Sequence, residues 1–181
     1  SAGQESRKGI VSIMVQASLV AFISQFLPTD PLCHELAAVN GLVTGLKVQK
    51  TGVLKVSCLV DKPIPVDLLC RTEEKLEQVL TLAEALIHQT YPSQLDAGTG
   101  SLYAAELQPW LLRHLWHRDA LSASMLKQAR FTAGADHVVI HLEEACRSVF
   151  STESLESLQM CFSNHVTAQT RFCLAGDASD C

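Results

Sequence analysis

Three side chains near the carboxyl half are spaced for metal chemistry. If Asp136 to Phe150 is a helix, His137, His141 and Glu144 fall at i, i+4 and i+7 on one face, offering two imidazoles and a carboxylate to a cation. The opposite face of that helix would carry Val138, Leu142, Ala145 and Val149, so ordinary solvation accounts for the polar side, and the H-E-x-x-H arrangement with its general base is missing. Gly98-Thr99-Gly100-Ser101 could turn backbone N–H groups toward a phosphate, but it lacks the lysine and spacing of a P-loop and the spacing of a dinucleotide fingerprint. No G-x-S-x-G elbow occurs, and Cys33-His34 is a sequential pair, whereas catalytic pairs are assembled in space. The expectation is a non-enzymatic chain with no metal and no cofactor.

The segment from Arg113 to Arg130 carries a different signal. Arg113, Arg118, Lys127 and Arg130 face a single acid, Asp119, for a local charge of +3 in a chain of net charge −5. Pro109 suits the first position of a short helix and Asp119 caps another, an outline shared with helix-turn-helix pairs in which Ser122 to Arg130 would be the recognition helix. Trp110 and Trp116 lie in the same stretch, and large aromatics beside arginines fit a protein interface. Trp110, Arg113, Trp116, Arg118, Lys127 and Arg130 are the candidate partner-binding residues. Other protein subunits are the expected partners; nucleic acid held by segment 113–130 is the alternative, although the acidic remainder opposes broad nucleic-acid binding.

The elements that must position these residues read as helices. Gly9 to Thr29 is a run of twenty-one residues without a formal charge, and at 100° per residue its apolar side chains spread around the whole circumference. That pattern predicts a central helix wrapped by others. A membrane span flanked by Arg7 and Lys8 is long enough but interrupted by glutamines and serines, and a signal peptide lacks a small-residue cleavage site before Pro28. No stable span is expected, and insertion of this helix into membranes after rearrangement is a further alternative function.

Asp30 and Pro31 start a second helix with apolar positions Leu32, Leu36, Val39, Val43 and Leu46, carrying Gly41 and Gly45 one turn apart. Val53 to Val60 alternates enough to be a minor β element near 53–60, and Pro63 and Pro65 stop any helix after it. Thr72 caps an amphipathic helix from Glu73 to Thr90, and Tyr91 to Ser101 is the best loop. Short helices follow at 102–107, 109–117, 119–131, 136–150 and after Ser151, with a last helical segment at 166–174 and a loose tail at about 175–181.

The predicted class is therefore all-α: a multi-helix bundle, or a stack of the HEAT or armadillo sort, around a buried central helix. At 181 residues, 48% hydrophobic and 18% charged, the chain fits one ordered domain, and its start at Ser with an apolar run close behind suggests a piece of a larger protein. Seven cysteines at irregular spacing with no C-x-x-C pair read as free or buried thiols in a reducing compartment, cytoplasmic or nuclear. The expected function is that of a helical protein-protein interaction module, a scaffold subunit of an intracellular complex.

Overall fold

The uncharged run does not form a helix along its length. Its first half is rich in the β-branched residues Ile10, Val11, Ile13 and Val15, which fit a pleated surface better than a helix, and Ile10–Ser18 is strand β1. Ser18 then turns the chain, its hydroxyl accepting from the Ala21 N–H at 3.1 Å to start helix α1, Leu19–Ser24. The computed structural model describes residues 9–166 and 168–176; Arg7, Lys8, Cys181 and the tail beyond Gly176 lie outside the described residues.

The chain divides into two compact units, Ser1–Ser93 and Gln94–Cys181. In the first, β1 and α1 lead to helix α2, Leu32–Ala37, then to the hairpin of β2, Gly41–Gln49, and β3, Val53–Val60. Helix α3, Val66–Leu80, crosses over to β4, Glu84–Thr90, and the sheet runs β1-β2-β3-β4 with only the last pair parallel. Register places Leu54 beside Ala85 and Val56 beside Ile87, so these side chains share one buried face with Cys58 and Val60. Gly41 lies in β2 because a Cβ there would come within 3.1 Å of the Leu19 side chain. Ladder register shifts between Val43 and Gly45 on β2 and between Met14 and Ala17 on β1, bulges that bend the two strands.

Polar side chains fasten this unit together. The Arg71 guanidinium forks onto Glu35 at 2.7 and 2.8 Å and donates through Nε to Asp67 at 2.8 Å, and Lys75 pairs with Asp30, tying α3 to α2 and the turn before it. Both partner carboxyls titrate below their usual range, Asp30 chiefly through its bond from Lys75 and Glu35 chiefly through Arg71. Glu73 and Glu77, one turn apart on α3, accept from the N–H groups of Ile87 at 2.7 Å and Ala85 at 2.9 Å, so the helix satisfies amides of the edge strand β4.

The second unit is built from helices α4, Ala97–Glu106, α5, Gln108–Leu115, and α6, Ala120–Leu126, then the hairpin of β5, Arg130–Ala133, and β6, His137–His141. Helices α7, Glu144–Arg147, and α8, Thr152–Ser163, cross over to β7, Arg171–Leu174, which is parallel to β6. Phe131, Phe162 and Phe172 meet edge to face beside this sheet, with ring centroids 5.4 and 6.0 Å apart. Gln159 of α8 accepts from Phe172 N–H at 3.0 Å and donates to Thr170 O at 2.9 Å.

The all-α expectation is overturned: the chain is mixed α/β, 41% helical and 28% strand, with sheets of four and three strands. The bundle, the HEAT or armadillo stack and the wrapped central helix fall with it. Residues 84–90 were expected to end a helix but form β4, in which Glu84 to Ile87 are all buried; a parallel strand covered on both faces presents a continuous apolar run, and Leu86-Ile87 happened to continue the helical spacing of Leu76 and Leu80. Thr72 sits inside α3, where its hydroxyl donates to Leu68 O, and the helix ends instead at Thr81, in a left-handed conformation. Segments 41–49, 130–133, 137–141 and 171–174 are likewise strands. The minor β element at 53–60 is present as β3, and the helix starts at Asp119 and Ser151 are present as side-chain caps of α6 and α8.

Candidate functional site

Two short helices with defined ends make the groove that gathers the basic segment. Pro109 stands in the first turn of α5, and Arg118 closes its far end by donating to His114 O at 3.2 Å. Asp119 caps α6, accepting from Ser122 N–H at 3.1 Å and from Ser122 Oγ. The Gln108 amide donates to Leu126 O at 3.2 Å and Ala129 O at 2.8 Å, fastening the start of α5 to the end of α6. Between them lies a groove of about 480 Å³ lined by Pro109, Leu112, Arg113 and Trp116 on one wall and Ala123, Ser124 and Lys127 on the other.

Three of the six residues expected to bind a partner, Arg113, Trp116 and Lys127, line this groove. Trp116, at the end of α5, is 57% exposed, an unusual position for the largest apolar side chain. Trp110 is 0% exposed: its indole lies edge-on to His114 at 4.6 Å and His165 at 5.8 Å, so it anchors α5 from below and offers the groove no surface. Arg118 is exposed beyond the end of α5 and Arg130 is exposed at the start of β5. Since α6 stops at Leu126, the expected recognition helix Ser122 to Arg130 is not formed. Spacing had marked the charges but not Gln108, whose only sequence signal is its place directly before Pro109.

The groove is cationic at its rim. Asp119, the acid nearest in sequence, is engaged by Ser122. Lys127 and Arg130 are exposed and, among the described residues, have no carboxylate partner. The groove thus combines an apolar floor, an exposed indole and the exposed Lys127 ammonium.

The other candidate sites do not assemble as their spacing suggests. His137 and His141 lie on strand β6 and Glu144 on α7, so the three share no helical face; His137 Nδ1 is 2.9 Å from Asp136, and His141 Nε2 is 2.9 Å from Thr132 Oγ1. Among the described residues no three His, Cys, Asp or Glu side chains are placed to hold a metal. The glycine-rich segment is the first turn of α4 instead of a loop, and the Asp96 carboxylate already accepts from Thr99 N–H at 3.0 Å and from Thr99 Oγ1. That negative charge occupies the position a phosphate would need, and its own bonds, first from the Thr99 hydroxyl, hold it below the usual carboxyl range.

A larger concavity of about 710 Å³ is lined by Gln94, Asp136, Gln159 and Arg171 among others. Of its polar groups, Gln159 bridges to β7 and Asp136 pairs with His137. The smaller groove is the candidate site, because there an exposed indole stands with the exposed Lys127.

Of the cysteines, Cys33, Cys58, Cys70, Cys146 and Cys161 form no disulfide, whereas Cys173 is disulfide-bonded, so the expectation of thiols throughout does not hold. Burial pushes the Cys58 thiol up to about 12, making it a small apolar core residue and a poor nucleophile. Among the described residues no helix is long and apolar enough to cross a membrane. No family model matches this sequence, and no curated protein resembles it closely enough to count as a relative.

Proposed function

We propose that this chain is a non-catalytic protein-interaction module that holds a partner subunit of an intracellular assembly at the groove between α5 and α6. The reading no longer draws on helix count; the observation that carries it is Trp116, 57% exposed beside Arg113 and Lys127. Exposed aromatic and arginine side chains are the residue types that dominate binding energy at interfaces. Well-capped helix ends keep the walls in place before a partner arrives, which lowers the ordering cost of association.

The test compares the chain with Trp116→Ala and Arg113→Glu variants as baits in cell extract, with bound proteins identified by mass spectrometry. A set of partners captured by the parent and lost from both variants, at unchanged unfolding midpoint, supports the assignment; equal capture by all three removes it. An exposed indole beside cations also fits stacking on single-stranded nucleic acid, the second reading. It predicts oligonucleotide affinity that falls steeply with salt, and no shift of a labelled strand at low salt sinks it.

A further inference from the structure

We propose that strand β1 pairs antiparallel with β1 of a second copy of this chain, joining the four-stranded sheets of the two copies through Ile10, Ser12 and Met14. Four strands stand at the margins of the two sheets of one chain, and three of them are guarded. The amides of β4 at Ala85 and Ile87 already meet the Glu77 and Glu73 carboxylates. Strands β5 and β7 are four residues long, and each begins with an exposed arginine, Arg130 and Arg171. Strand β1 has none of these protections: it runs for nine residues with no charge and no proline, and none of its residues is buried.

The ladder with β2 fixes which backbone groups of β1 are left over. Gly9 O accepts from Lys50 N–H at 2.9 Å, and these two residues continue the register in which Ile10 faces Gln49 and Val11 faces Val48. Bonded and non-bonded pairs alternate along an antiparallel ladder, so a bonded pair at Gly9 makes Val11 and Ile13 the next bonded positions. The N–H and C=O groups of Ile10, Ser12 and Met14 therefore point away from β2, and among the described residues nothing answers them. The bulge after Met14 interrupts the register, which leaves residues 10–14 as the regular segment.

A second copy fits this segment because its pattern reads alike in both directions about Ser12: large apolar side chains at Ile10, Val11, Ile13 and Met14 flank one small hydroxyl. Two such strands related by a two-fold axis at Ser12 place Ser12 opposite Ser12, Ile10 opposite Met14 and Val11 opposite Ile13. The outward amides and carbonyls then meet one another, as an isologous contact requires. Met14, 77% exposed, comes against Ile10 of the second copy, and Val11, 38% exposed beside Val48, gains Ile13 on the same face. In a chain of net charge −5, an uncharged strand is where two identical molecules approach with least repulsion. The assembly closes at two copies, because the far edge of each sheet is the answered strand β4.

Sedimentation equilibrium of the full chain is the test, and we expect a concentration-dependent monomer–dimer equilibrium with no larger species. Ser12→Lys and Ser12→Glu should each weaken the dimer at least about fivefold, since each sets like charges directly opposite across the axis, whereas an equimolar mixture of the two variants should recover it as a heterodimer. Both variants should keep the parent unfolding midpoint, because the Ser12 backbone takes no part in the β2 ladder. Should either fail to fold, Met14→Lys carries charge to the same edge on an exposed side chain and should weaken the dimer in the same direction. Trp116→Ala should leave association unchanged, which separates this interface from the groove. A chain that stays monomeric up to about 1 mM overturns the inference. So does a dimer indifferent to charge at Ser12 and Met14, a mixture no tighter than its single variants, growth beyond two copies, or a dimer lost on Trp116→Ala.

Discussion

Both units run through a hairpin, a helical crossover and a strand parallel to the hairpin's second member, and in both the crossover helix hands side-chain oxygens to amides of that last strand. Glu73 and Glu77 do this for β4, Gln159 for β7. The units part in what they do with the rest of their charge. In the first, Arg71 and Lys75 are consumed by Glu35, Asp67 and Asp30. In the second, Lys127 and Arg130 have no carboxylate among the described residues and an indole stands beside Lys127 in the groove. A shared topology thus carries a cluster of ion pairs between helices in one unit and an exposed indole in a groove with Lys127 in the other.

The comparison breaks most visibly at Trp110. Trp110→Ala should remove about 3–5 kcal/mol from the second unit, the range for deleting a buried aromatic. Hydrogen exchange should show the amides of β5, β6 and β7 losing protection while those of β2, β3 and β4 keep theirs. Equal loss in both would show that the units do not hold their stability separately.

Next come the crossover oxygens. Glu73→Ala and Gln159→Ala should each cost about 1–3 kcal/mol in denaturant titration, because each strands a strand amide, and Glu73→Gln, which keeps an acceptor, should recover much of the loss. If alanine is silent at either site, the parallel between the units is only geometric.

The ion pairs of the first unit should show in the acid limb. Asp30 and Glu35 ordinarily titrate at 3.8 and 4.5 and sit lower in the fold, so their contribution is complete above those values and is lost as pH falls through the lowered ones. The stability gap between the parent and Arg71→Ala should therefore be widest near neutral pH and close on acidification, in urea midpoints measured across pH. A gap that stays constant with pH would assign Arg71 to packing alone.

The smallest effect on stability sharpens the comparison furthest. Trp116→Ala should change the unfolding free energy by no more than about 0.5 kcal/mol, as expected of an exposed side chain, and still abolish partner capture. A destabilisation matching that of Trp110→Ala would make Trp116 a structural residue.

What the sequence made legible was local. Ser151 and Asp119 announced their helices because a side-chain oxygen before a helical run has one obvious use, and Val53 to Val60 alternated as a strand with one face buried. What it concealed was set by distant pairing. Val138-Val139-Ile140 is β-branched, but the spacing out to Val149 and Phe150 argued for helix until β5 and β7 were known to flank it. The same holds for β1, whose apolar run fits helix and strand alike. At the site, four basic residues and two tryptophans were visible, yet their division into rim and core was not; six positions turn a helix by roughly 240°, which already separates Trp110 from Trp116.

The carboxylates of Glu73 and Glu77 also give the first sheet a self-limiting width. With its amides at Ala85 and Ile87 already answered, β4 is a poor seed for a stray strand, so lateral growth into fibres is discouraged on that side by two side chains of the same helix.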